Sequence, residues 1–145
     1  MNMKNAKEYL LQLRKIDRLI ENKIAESDYW RSVALGTSSF SDGDRVQSSG
    51  SKQKMADAVC RYMTIEKEID AEIDRLVDTK QEVIKTIEQL RTDEYDILHK
   101  AYVQFKDFGV IAIEMDRSRS WVTSVHGRAL ANVQKILDER NGEKE

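Results

Sequence analysis

No proline occurs among the 145 residues, and over most of the chain apolar side chains recur at steps of three or four. Proline is the strongest breaker of a helix interior, so its absence permits long helices without kinks. In residues 4–34 the apolar stripe is Tyr9, Leu13, Ile16, Ile20 and Ile24. A second stripe begins at Met55 and continues through Val59, Tyr62, Ile69, Ile73, Leu76, Val83, Ile87 and Leu90, with Lys80 where a further heptad contact would fall. Sustained over several heptads, this pattern predicts two amphipathic helices that bury their stripes against each other. At 1.5 Å per residue each arm would be roughly 45–57 Å long. Alternating β-branched runs of strand length are missing, so the expected fold class is all-α. Its first part is a long, coiled-coil-like antiparallel helical hairpin over residues 1–91.

Between the arms, residues 36–51 read GTSSFSDGDRVQSSGS. Serine, glycine and aspartate at that density predict a flexible connection. A phosphate-binding loop is not expected, because no Gly-Lys-Ser/Thr ending follows and no buried strand precedes.

The second expected unit spans residues 92–140, followed by a short tail at 141–145. Thr92 is the expected N-cap of its first helix, with Asp93 and Glu94 favoured by the helix dipole in the first turn. Tyr95, Leu98, Ala101, Tyr102 and Phe105 form that helix's buried side. Asp107 is placed to cap a short helix to Met115, and Ser118 a longer one from Arg119 to about Arg140. A stripe of Val122, Val125, Ala129, Val133 and Ile136 would bury against Ile111, Ala112 and Met115, and against Leu98 and Tyr102. Arg119, Ser120, Thr123 and Ser124 would then face outward together. A short helix, a polar turn and a second helix so arranged predict a helix-turn-helix. Arg119 can pair with a guanine edge, and serine or threonine can bond several bases or a phosphate. Arg117 and Arg128 are better suited to phosphate contacts, which position a protein without specifying sequence.

Charge distribution supports a local basic face rather than a basic protein. The formal net charge is −2. All the acids of residues 93–137 lie at or before Asp116, and Arg117, Arg119, Arg128 and Lys135 follow unopposed in sequence. Cys60 is the single cysteine, which excludes an internal disulfide and disfavours zinc; it is expected in the core of the second arm. His99 has no ligand partner at metal-binding spacing. Trp121 is expected to pack, His126 to be an ordinary surface residue, and Gly127 to permit close approach of a backbone or of DNA. Carboxylates lie on solvated helix faces and no nucleophile has an identifiable base, so no catalytic residue, cofactor or metal is expected, and no enzyme. The opening MNMKNAKEYLLQLRK lacks the apolar run of a signal peptide or membrane span, so the cytoplasm is the expected compartment and no membrane association is expected.

The segment DEYDILHKAYVQFKDFGVIAIEMDRSRSWVTSVHGRALANVQKIL resembles region 4 of sigma-70-type transcription factors. Agreement is closest at Ser118, Arg119 and Val122, at Arg128-Ala129-Leu130, and at Ile111-Ala112. In the turn, Asp116 and Arg117 stand where region 4 usually has a small residue followed by an apolar one. The whole layout, with NAKEYLLQLRKIDRLIENK and SWVTSVHGRAL, is similar to a family of small phage and prophage proteins regarded as sigma-like or late transcriptional regulators. The resemblance implies a DNA-binding transcriptional regulator that contacts host RNA polymerase. Double-stranded DNA is the expected partner, through Arg117, Arg119, Ser120, Thr123, Ser124 and Arg128, and the hairpin is the expected site of homodimer formation. The competing expectation is a non-enzymatic structural or adaptor protein acting through its hairpin.

Overall fold

The computed structural model describes residues 5–36 and 49–143. Most of the 36–51 connection therefore lies outside the described residues. The fold is all-α, and no strand occurs among the described residues. The helices are α1 (Ala6–Ala34), α2 (Ser49–Ile87), α3 (Thr92–Leu98), α4 (Phe108–Met115) and α5 (Arg119–Glu143). A π-helical turn, His99–Val103, continues α3 without a break. α5 runs past the expected end at Arg140 into the segment read as a tail.

The chain divides into two compact units, and the division is not at residue 91. One unit joins the segment through Lys15 to Leu76–Glu145; the other is Ile16–Arg75. The ends of both long helices thus belong with α3, α4 and α5. The reason is visible in the larger core of the first unit. There Tyr9, Leu10 and Leu13 of α1 and Val83 and Ile87 of α2 pack with Leu98, Tyr102, Ala129, Val133 and Leu137. Each large apolar side chain so buried contributes about 1.5–3 kcal/mol. A second cluster, Ile97, Ile111, Ala112, Val122 and Val125, holds α3, α4 and α5 together.

Local boundaries follow capping chemistry. Asp107 accepts a hydrogen bond from the Val110 amide at 2.9 Å, and Ser118 Oγ one from the Trp121 amide at 3.0 Å. Both caps are the expected ones. Thr92 is not a cap: it is the first helical residue of α3, and the extended Arg91 before it offers no side-chain cap. The buried face of α5 ends on Leu137, with Ile136 half-exposed.

In the second unit, Lys23 pairs with Glu68 at 2.9 Å and Glu26 with Arg61 at 3.4 Å. Partner numbers fall as those of α1 rise, so the two helices run antiparallel there. Ile16, Ile20, Ser27, Ala58 and Ile65 are buried. Ile24, Val59 and Ile73 are exposed, contrary to the expected stripes, and so is Cys60. On α2 the seam follows Ala58, Tyr62, Ile65 and Ile69, one position before Val59. At the start of α2 the larger Val59 stands next to the true seam residue, the small Ala58, while Tyr62 and Ile69 lie on the seam as expected.

Candidate nucleic-acid interface

α4 and α5 are joined by Asp116, Arg117 and Ser118. Asp116 stands in the left-handed region, with φ 54° and ψ 48°. Its amide bonds to the Ile113 carbonyl at 3.2 Å, and the Arg117 amide reaches back to Ala112 at 3.0 Å. This pair of bonds satisfies the last carbonyls of α4 and reverses the chain within three residues. Aspartate is one of the few residues besides glycine that tolerates this conformation, which accounts for Asp116 at the turn.

Because Val122, Val125, Ala129 and Val133 are buried, the opposite face of α5 is open. All six residues expected to meet DNA, Arg117, Arg119, Ser120, Thr123, Ser124 and Arg128, are exposed. They do not form a single cluster. Ser120, Thr123 and Ser124 occupy the middle of the open face. Arg119 and Arg128, nine residues or about two and a half turns apart, leave from its opposite edges. Thr123 Oγ1 donates to the Arg119 carbonyl at 3.0 Å, so the exposed hydroxyl retains its capacity to accept. Arg117 lies over the Trp121 ring, 4.8 Å from its centroid, which orients the guanidinium; Trp121 itself packs on the α4–α5 core. Arg128, unopposed in sequence, is opposed in space: Asp93 lies 4.0 Å from its guanidinium.

Gly127 lies on the same open face. A Cβ added there would meet nothing within 4 Å. No element among the described residues occupies the space that the missing side chain leaves.

His126 departs from the expected surface role. Its Nε2 is 2.8 Å from the Tyr102 hydroxyl, and its ring contacts Phe108 at a centroid distance of 4.8 Å. Burial, aided by the positive charge of Lys7, lowers its pKa below the ordinary histidine value. Burial also raises the Tyr102 pKa, so the phenol keeps its proton and can donate it to neutral His126.

Beside the start of α5 lies a cleft of about 330 Å³ that sequence reading missed. Its lining includes Arg14 of α1, Phe105, Lys106, Asp107 and Arg119. Arg14 and Arg119 are far apart in sequence, and no local pattern joins them. Glu114 on α4 receives both Lys100 at 2.7 Å and Lys106 at 2.8 Å, and these lysines lower its carboxyl pKa. One carboxylate between two ammonium groups leaves a positive charge over.

Among the described residues, no cluster of His, Cys, Asp and Glu is arranged to hold a metal, and no helix is long and apolar enough to cross a membrane. In comparisons with known proteins, the chain matches no protein-family model, no curated protein and no solved structure.

Proposed function

We propose that this protein is a sequence-specific, duplex-DNA-binding transcriptional regulator of the sigma region 4-like kind, acting in the cytoplasm. One observation carries the reading: α5 is capped by Ser118, the last residue of a three-residue turn, and its first two turns present an uncovered polar face beside two arginines. A helix entering the major groove needs an exposed N-terminal face of this kind, with base-reading side chains at its start. Arg119, Ser120, Thr123 and Ser124 are the readers, and Arg117 is a phosphate contact. Arg128 is a weaker phosphate contact because Asp93 offsets its charge. Host RNA polymerase is the protein partner that the sigma resemblance implies.

Homodimer formation through the second unit would supply two half-sites. There Ile24, Val59 and Ile73 are exposed, whereas the ion pairs of Lys23 and Glu26 occupy the seam and its other flank. The same apolar residues favour the second reading, a helical adaptor that does not bind DNA.

Enrichment from a pool of random duplexes, followed by mobility shift, separates the two. The regulator selects a recurring sequence and binds it less tightly as salt rises, and Arg119→Ala weakens that binding by roughly 1–3 kcal/mol and relaxes selection at one position. A folded protein that shifts no duplex at low salt would sink the proposal in favour of the adaptor.

A further inference from the structure

Arg14 belongs to α1, outside the helix-turn-helix, yet it lines the same cleft as Arg119. Its guanidinium lies over the Phe105 ring, 5.1 Å from the centroid. Phe105 is there because the chain adopts φ 59° at that residue, one residue beyond the Gln104 that caps the π-helical turn, while the next amide, of Lys106, bonds back to Lys100 at 2.9 Å. A left-handed conformation is costly for an aromatic residue and persists only where its surroundings fix it. Here the strained residue is the platform on which an arginine rests.

Among the described residues, neither Arg14 nor Arg119 has a carboxylate within ion-pair distance, and both are exposed. Lys106 shares Glu114 with Lys100, so its charge is only partly offset there. Asp107 is the acid of the cleft, and its Oδ1 is engaged by the Val110 amide at the start of α4. The cleft is therefore net positive and opens beside the edge of α5 from which Arg119 leaves.

We propose that Arg14 and Lys106 form a phosphate clamp on the DNA backbone that borders the groove entered by α5. This rests on the DNA-binding reading above. A helix in the major groove has a sugar-phosphate strand on either side of it, and a cation just beyond Arg119 meets one of those strands. Stacking on Phe105 holds the guanidinium in place before DNA arrives, so little side-chain freedom is lost on binding. Arg14 thus couples α1 to the DNA surface without reading sequence.

The test uses the full chain and a fluorescently labelled duplex of mixed sequence, titrated over a range of salt concentrations. Arg14→Ala is expected to weaken binding to all duplexes alike and to reduce the slope of log affinity against log salt by about 0.9, the value of one phosphate contact. Arg14→Lys restores most of that slope because the charge returns. Arg14→Gln, which retains much of the stem over Phe105, repeats the loss should the alanine variant unfold; thermal unfolding by circular dichroism checks each protein. Unchanged affinity and slope in a folded Arg14→Gln protein, with Arg119→Ala still impaired, overturns the clamp and leaves the DNA-binding reading standing. Absence of salt-sensitive binding by the unsubstituted chain removes both. An Arg14 effect confined to single-stranded DNA or RNA also overturns the duplex clamp.

Discussion

At Gly127 a helix interior accepts a residue poorly suited to it, and nothing else among the described residues occupies the space gained. Glycine costs roughly 1 kcal/mol against alanine at such a site. Gly127→Ala is therefore expected to raise unfolding free energy by about 0.5–1 kcal/mol in urea titration. Under the DNA-binding reading, Gly127→Gln is tolerated by the fold but impairs duplex binding, because its side chain fills the middle of the reading face. His126 sets a different expectation. Its folded pKa is lowered, so the unfolded chain takes up protons first as pH falls. Stability is then full above the ordinary histidine pKa of about 6.5 and declines on acidification through the window down to the folded value. His99, also shifted down chiefly by burial, acts in the same direction. Urea midpoints should fall from neutral pH toward pH ~5.5 in the natural chain, and His126→Gln should flatten that fall. An unchanged slope would mean that the Tyr102–His126 contact carries no proton linkage.

Among the elements, the join of α1, α2 and α5 depends on a threonine hydroxyl. Thr86 is fully buried and its Oγ1 donates to the Glu82 carbonyl at 3.0 Å. The two lone pairs then accept from the Tyr9 hydroxyl at 2.9 Å and from Arg140 Nη2 at 2.7 Å. One donor and two acceptor sites are the whole capacity of a hydroxyl, so it is saturated. Thr86→Val keeps the shape but leaves two buried or half-buried donors without an acceptor. It is expected to cost about 1–3 kcal/mol by chemical denaturation, and Thr86→Ser should recover most of that. The α3–α5 contact has a comparable polar link, Asn132 Nδ2 donating to buried Glu94 at 2.8 Å. Glu94 was legible as a first-turn acid favoured by the dipole; its burial against α5 was not, because a helix's own sequence does not say which neighbour covers its first turn.

For the whole molecule, periodicity and the lack of proline made the all-α class, both long helices and the capped α4–turn–α5 arrangement readable from the chain. These are local properties: 3.6-residue spacing, a side-chain oxygen three residues before an amide, and a backbone that no residue interrupts. The spacing of Val122, Val125, Ala129 and Val133 also fixes which side of α5 is buried, and hence that Arg119, Ser120, Thr123 and Ser124 are exposed. Tertiary structure decided the rest. It placed the ends of the long helices in the unit that holds α3, α4 and α5, moved the seam of α2 from Val59 to Ala58, and set Asp93 against Arg128. It brought Arg14 to the cleft of Arg119 over a strained Phe105. Such pairings join residues remote in sequence, and side-chain packing in three dimensions selects them; no helical period encodes which distant cation will stand beside Arg119.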